Sequence, residues 1–98
     1  MKIIYSKKFQ NSLANIVDFI AQDSSKRARE FATNLKSQLE TIAFMPYKHR
    51  KNFIANDENI RDFIFKGYVI IFEINENIEI LNIYKHNCLN DKFKNDNK

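Results

Sequence analysis

The hydrophobic pattern of this chain changes period at Pro46, which is the only proline in its 98 residues. Before Pro46, apolar residues recur three and four positions apart, which is the spacing of one helix face. After Pro46, runs rich in β-branched and aromatic residues indicate strands. Helices followed by consecutive strands predict an α+β domain in which the helices cover one face of a sheet.

Two helices are predicted before Pro46. A short apolar strand at residues 2–5 is followed by Ser6, which is placed to cap a helix that extends to about Gln22. Asp23-Ser24-Ser25 interrupts the apolar spacing and offers a second N-cap, and the second helix then extends to Pro46. Because only two or three residues separate these helices, we expect them to form an antiparallel hairpin.

Three strands are predicted after Pro46, at residues 60–65, 68–74 and 78–84. Lys66-Gly67 joins the first two strands, and either Glu76-Asn77 or residues 75–77 joins the last two. The sequence also allows a further short strand at residues 53–55. With the N-terminal strand as a fourth member, the predicted order is β-αα-βββ, with a three- to four-stranded antiparallel sheet.

Two-residue hairpin loops define a register for this sheet. They pair Phe65 with Tyr68 and Phe72 with Leu81, and a change of one residue in either loop would exchange the faces. One face then carries the predicted core: Phe63, Phe65, Tyr68, Ile70, Phe72, Ile74, Leu81 and Ile83. The opposite face is mixed in character, which indicates a partly covered face or a working surface: Asp62, Ile64, Lys66, Val69, Ile71, Glu73, Ile80, Asn82, Tyr84 and His86.

The composition excludes several classes of function. One glycine, Gly67, excludes a P-loop or a dinucleotide-binding fingerprint, and one cysteine, Cys88, excludes a disulfide framework or a multi-cysteine zinc site. His49 and His86 lie too far apart for the helical histidine pair of a zinc protease. We therefore expect no cofactor and no metal. The N-terminus reads as a strand rather than a signal peptide, and no apolar stretch is long enough for a membrane span, so we expect a cytoplasmic protein without a membrane partner.

The densest cluster of positive charge is Lys48-His49-Arg50-Lys51. The net charge of +4 is weak evidence by itself, because the chain is rich in Ile, Asn and Lys throughout, and only clustered charge creates a local field. The cluster lies between aromatic residues, which suits a phosphate backbone with neighbouring bases, and Tyr84 is a further candidate for contact with a target. A solvated basic loop explains the same residues.

A second candidate cluster surrounds His86 at the end of the last predicted strand. Lys85 precedes it, and Lys66 shares its predicted sheet face. A histidine among cations can exchange protons with a phosphodiester, and metal-independent RNA cleavage needs such a group together with cations that stabilise the phosphate. A partly exposed histidine without chemistry is the alternative. Arg61, beside Asp62, fits either a phosphate contact or a structural ion pair.

The order of these motifs resembles the RelE/ParE superfamily of bacterial type II toxin–antitoxin toxins. The motifs are the helix break Ile20-Ala21-Gln22-Asp23-Ser24, the proline after the second helix, the strand that Arg61 opens and the hairpin at Gly67-Tyr68. The resemblance covers residues 2–87. It implies one toxin domain at residues 1–87, followed by a polar tail at residues 88–98 in which partial disorder is expected.

The resemblance also implies a partner and a target. Toxins of this superfamily are neutralised by a cognate antitoxin in a hetero-oligomeric complex, and some act in plasmid stabilisation. ParE-like toxins bind and poison DNA gyrase, whereas RelE-like toxins are mRNA interferases that cleave mRNA on the ribosome without a metal. The helical hairpin is more similar to that of ParE-like members.

Three functions follow from the resemblance. Ile64-Phe65-Lys66 and Lys85-His86-Asn87 lack arginines that RelE-like enzymes carry near these positions, so a gyrase-binding toxin is expected. The alternative is a ribosome-dependent mRNA endonuclease with four candidate catalytic residues: Arg61, Lys66, Lys85 and His86. A third function is that of a non-toxic module that binds only an antitoxin-like peptide.

Overall fold

A computed structural model describes residues 2–52, 54–55 and 57–86 of the chain. The predicted tail at residues 88–98, with Cys88, lies outside the described residues. Two α-helices and five strands follow one another in chain order: β1 Ile3–Tyr5, α1 Lys7–Asp23, α2 Ser25–Thr41, β2 Arg50–Lys51, β3 Ile60–Phe65, β4 Tyr68–Ile74 and β5 Ile78–Lys85. A 3₁₀ turn at Pro46–Lys48 precedes β2. The helices pack on one sheet in the predicted α+β arrangement.

Two serines define the helical hairpin. The Ser6 hydroxyl accepts a hydrogen bond from the Phe9 amide (3.1 Å) and caps α1. Ser24 ends α1, where its amide donates to the Ile20 carbonyl, and its hydroxyl caps α2 by accepting from the Arg27 amide (3.1 Å). Both predicted caps are confirmed. The helix α2 ends at Thr41 instead of reaching Pro46, because its last turn tightens into an i→i−3 bond.

The sheet has the strand order β1-β5-β4-β3-β2. The predicted hairpin between β3 and β4 is confirmed, including the pairs Phe65–Tyr68 and Phe63–Ile70. The N-terminal strand β1 is parallel to β5, so the sheet is mixed rather than wholly antiparallel. The strand β2 extends the sheet beyond the predicted four strands. The further strand considered at residues 53–55 is not found at Ile54 and Ala55, which form a turn. Phe53 is outside the described residues.

The predicted register between β4 and β5 is wrong beyond Ile71. Ile74 pairs with Ile78 across a three-residue loop, and an irregularity after Ile71 leaves Phe72 paired with Ile80 instead of Leu81. One extra residue in the loop and one in the strand compensate for each other, as in a β-bulge. Ile80 is therefore fully buried in the core rather than on the opposite face. Asn82 accepts a hydrogen bond from the Ser12 hydroxyl of α1 (2.8 Å), so its side chain also leaves the predicted face.

The core lies between the helical hairpin and the sheet. The helices contribute a predicted apolar stripe, of which Phe31, Leu35 and Leu39 are buried, and the strands contribute Phe72 and Ile83. No helix among the described residues is long and apolar enough to cross a membrane. Within the same residues, no group of three or more histidine, cysteine, aspartate or glutamate side chains is arranged to hold a metal ion.

Candidate functional site

Asp62 organises the polar network on the sheet face away from the helices. Its side chain is only 4% exposed, and its two carboxylate oxygens accept hydrogen bonds from the Arg50 guanidinium and from the Asn52 side-chain amide (2.8 Å). The Asn52 side-chain oxygen in turn accepts from the Ala55 amide (2.7 Å). A buried carboxylate needs such partners to offset its lost hydration. Arg50 is therefore engaged in holding β2 and the following turn against β3.

The Arg61 side chain lies on the other face of β3 and also holds the segment before that strand in place. Its guanidinium donates to the Glu58 carbonyl (2.8 Å), the His49 carbonyl (3.1 Å) and the Glu58 carboxylate (3.1 Å). The guanidinium carbon also lies 5.0 Å from the centre of the Tyr47 ring, a cation–π distance. With its donors directed at the protein itself, Arg61 has the contacts of a structural arginine.

His49 turns inward from the basic cluster. Its ring centre lies 5.1 Å from that of Phe63 and 5.6 Å from that of Phe72, so the imidazole is half-buried against the core. Burial lowers the pKa of His49 below its ordinary value of 6.5, and the neighbouring Lys48 lowers it further. This environment favours a neutral imidazole over a cationic phosphate contact.

The remaining charges of the basic cluster are partly compensated. The Lys51 ammonium lies 3.7 Å from the Glu58 carboxylate, an exposed ion pair, while Arg50 is paired with Asp62. Within the described part of the chain, Lys48 makes no salt bridge and is exposed. The four consecutive basic residues therefore present less net positive charge to a partner than the sequence suggests.

Tyr84 lies on the same face as the Asp62 network. Burial raises the pKa of the Tyr84 hydroxyl, the Asp62 carboxylate raises it further, and Arg50 opposes this shift. Tyr84, Ile71 and Leu81 line an apolar groove of about 420 Å³ that Ile54 and Ala55 border. The phenol is thus one wall of a shallow groove.

Lys66, Lys85 and His86 meet at the opposite end of the sheet. Lys85 of β5 pairs with Tyr68, the residue that follows the Lys66-Gly67 turn. The His86 amide donates to the Gly67 carbonyl (2.8 Å), which joins the end of β5 to that turn. The structure therefore brings together three of the four residues proposed for RNA cleavage.

Arg61 is separated from these three residues by the length of β3. Lys66 follows Arg61 by five positions, or about 17 Å along an extended strand. The four candidate catalytic residues thus occupy two ends of the sheet. Sequence reasoning assigned no role to Asn52 and Glu58, although an acidic side chain in an apolar strand, as at Asp62, is a signal that polar partners will be found nearby.

Comparisons with known proteins agree with this architecture. No curated protein sequence matches the chain significantly. A chain of the chromosomal ParDE TA system from P. aeruginosa has a similar fold, with a TM-score of 0.71 and 15% identity over 87% of this chain and 95% of that chain. This similarity shows that the two chains share a fold.

The family follows from the sequence itself. Residues 3–87 match the family model described as the ParE toxin of the type II toxin-antitoxin system, parDE. The chain belongs to this family, which confirms the predicted resemblance to the RelE/ParE superfamily and its type II toxin class.

Proposed function

We propose that this protein is a ParE-like growth inhibitor that binds a macromolecular target, DNA gyrase, and that a cognate antitoxin neutralises it in a hetero-oligomeric complex. Membership of the ParE toxin family of type II toxin-antitoxin systems supports the antitoxin partner, and the gyrase target is proposed from the resemblance to ParE-like toxins. Because gyrase acts on chromosomal DNA in the cytoplasm, this proposal also places the protein there.

The distance between the candidate catalytic residues is the observation that favours binding over cleavage. Arg61 donates to Glu58 and to the His49 carbonyl at one end of β3, whereas Lys66, Lys85 and His86 lie at the other end. Cleavage of a phosphodiester needs a proton acceptor, a proton donor and cations around one phosphate. A set of residues divided between two ends of a sheet supports recognition of a large surface instead.

The first experiment is controlled expression without an antitoxin, with DNA, RNA and protein synthesis followed separately. A gyrase-binding toxin is expected to cause DNA breaks and an early loss of DNA synthesis while mRNA stays intact. Purified protein is expected to inhibit supercoiling by purified gyrase. Intact supercoiling activity at a molar excess of folded toxin would contradict gyrase as the target.

The alternative function is cleavage of mRNA on the ribosome. The contact between His86 and the Lys66-Gly67 turn favours it, because this backbone bond brings the positions of His86, Lys85 and Lys66 to one end of the sheet. Cleavage within ribosome-bound mRNA that is lost in H86A but kept in the surface variant K8A would establish this function and overturn the gyrase proposal.

Expression at high level also tests whether the protein is toxic at all. Normal growth with abundant folded protein would contradict growth inhibition and favour a module that binds only an antitoxin-like peptide. Co-expression with the product of a short neighbouring reading frame that has an amphipathic C-terminal segment is expected to restore growth.

A further inference from the structure

Two grooves meet at the end of the sheet that carries the Lys66-Gly67 turn, on the side of the helices. One, of about 390 Å³, lies between α1 and β5 and is lined by Phe19, Tyr68 and Lys85. The other, of about 330 Å³, lies between α2 and the turn and is lined by Arg27 and Lys66. Tyr68 of the first groove packs edge-on against Phe31 of the second, with ring centres 5.4 Å apart, so the two grooves lie next to each other. We call these five lining residues, Phe19, Arg27, Lys66, Tyr68 and Lys85, the end surface.

The end surface combines cations with an exposed aromatic ring. Phe19 is 65% exposed although it belongs to α1, and a phenylalanine in this position has no part in the core. Lys66, Lys85 and Arg27 are exposed cations, and one acidic residue, Glu30, lines the second groove. Among the described residues, none of these three cations forms a salt bridge. The local charge is therefore positive and available to an anionic ligand.

Lys66 occupies a backbone conformation that does not favour lysine. Its φ is +49° and that of Gly67 is +86°, as in a type I′ turn, where Asn, Asp and Gly are preferred because other residues are strained. Asparagine, which suits this turn, is as common in the chain as lysine, so lysine is not the residue that the turn itself would favour here. A residue kept at a conformational cost points to a use for its side chain. The Lys66 ammonium lies 5.8 Å from the centre of the Phe65 ring, a loose contact that leaves it open to solvent.

We propose that the end surface binds single-stranded nucleic acid. Lys66, Lys85 and Arg27 would receive backbone phosphates, and the exposed Phe19 ring would stack on a base, the combination that single-strand binding proteins use. Polar lining residues of the two grooves, Asn15 and Asn34, are in place to pair with base edges. This activity goes beyond the proposed binding of gyrase and does not depend on it.

Nucleic acid fits this surface better than an acidic peptide does. An acidic peptide would satisfy the cations but would leave no specific use for an aromatic ring that is exposed beside them. A base has a flat π-face that stacks on such a ring whatever its identity. The exposed Phe19 ring beside cations thus favours a ligand that carries phosphates and bases together.

The test is fluorescence anisotropy with the purified full chain and a labelled oligothymidylate of about 12 nucleotides, within the usual site size of single-strand binding folds. The double variant K66N/K85N is expected to bind at least about tenfold more weakly, and its salt dependence is expected to fall by roughly 1.4 in log–log slope, or about 0.7 for each phosphate that a lysine no longer neutralises. F19A is expected to weaken binding about fivefold or more, because the base can no longer stack on this ring. K66N by itself is expected to fold at least as stably as the wild type, because asparagine suits the turn.

Two surface variants serve as matched controls. K7N/K8N removes the same two lysine charges from the first turn of α1, roughly 16–18 Å from Phe19 along the helix. F44A removes a phenylalanine ring that is 84% exposed and lines neither groove. Both are expected to bind the oligonucleotide within twofold of the wild type.

Three results would overturn the inference. One is binding by K66N/K85N within twofold of the wild type, and another is an equal loss in K7N/K8N, which would indicate a general effect of charge. The third is competition by polyglutamate as strong as that by unlabelled oligonucleotide together with unchanged binding by F19A, which would identify an acidic-peptide surface. A chain that binds the oligonucleotide without inhibiting growth would leave this inference standing and contradict the proposed function.

Discussion

At the scale of single residues, Arg61 and Asp62 are neighbours in β3 that hold one loop from two sides. Successive side chains of a strand point to opposite faces, so Asp62 takes Arg50 and Asn52 as partners while Arg61 takes Glu58. Arg50 and Arg61, which the sequence suggests as contacts for a target or a phosphate, instead form ion pairs that hold the segment between β2 and β3 in place. Basic residues near a sheet edge are therefore poor evidence of a binding site until their partners are known.

Removal of the Asp62 carboxylate is expected to destabilise the fold. D62A leaves the Asn52 amide buried without its partner, which costs about 1–3 kcal/mol in the free energy of unfolding. The matched control is E58A, whose carboxylate is 70% exposed and whose ion pairs contribute about 1 kcal/mol or less. Urea denaturation measures both variants, and equal losses would show that the Asp62 network has no special role.

His49 is expected to make stability depend on pH. In the unfolded chain its pKa is near the ordinary 6.5, whereas burial and then Lys48 lower it in the folded protein. As the pH falls below this ordinary value, the unfolded state takes up the proton first, so the free energy of unfolding decreases. H49F keeps an aromatic ring beside Phe63 and Phe72 without a titrating group.

Urea denaturation of the wild type and H49F near neutral pH and about 1.5 pH units lower measures this effect. The wild type is expected to lose more stability on acidification than H49F does. The carboxylates titrate alike in both proteins, so an identical pH dependence would show that the folded state does not suppress protonation of His49.

At the scale of secondary structure, the helical hairpin depends on a single residue. Ser24 closes α1 through its amide and opens α2 through its hydroxyl, and no other residue lies between the two helices. A link of one residue leaves the helices little freedom to change their relative position.

Loss of the Ser24 hydroxyl is expected to cost about 1 kcal/mol, the usual contribution of an N-cap. S24A retains the backbone bond to the Ile20 carbonyl, so the change reports on the cap of α2. S25A is the matched control, because Ser25 is the exposed first residue of α2 and caps neither helix. Thermal denaturation is expected to separate the two variants, and similar midpoints would contradict this role of Ser24.

At the scale of the whole molecule, one core joins every predicted element. Phe72 is fully buried at the centre of the sheet and contacts both Phe63 and His49, with ring centres 6.2 Å and 5.6 Å away. Phe63 of β3 and His49, which precedes β2, therefore pack against the same side chain of β4. Substitutions here act on the fold as a whole, and on function only through the fold.

F72A is expected to lose growth inhibition by unfolding. A phenylalanine-to-alanine change in a core costs about 3–5 kcal/mol, against a total stability of about 5–15 kcal/mol for a domain. F44A, which removes an exposed ring, is expected to change stability by less than about 0.5 kcal/mol and to keep growth inhibition. Circular dichroism and soluble yield measured beside growth would reveal whether a folded F72A is inactive for another reason.

Local sequence signals determined much of this fold. The serine caps, the period of the apolar stripes and the Lys66-Gly67 turn are short-range features, and the helices and the β3–β4 hairpin follow from them. The motif order at residues 2–87 also indicated the toxin family, because it reflects the whole series of elements.

Tertiary structure decided the features that depend on interactions between residues distant in sequence. The bulge in β5 moved Ile80 into the core, since register there depends on packing against the helices rather than on the loop alone. Ion pairs with Asp62 and Glu58 engaged Arg50 and Arg61, while folding brought Lys66 and Lys85 to one end of the sheet. A sequence shows which charges a chain carries, but only the packed chain decides which of them are neutralised and which face solvent.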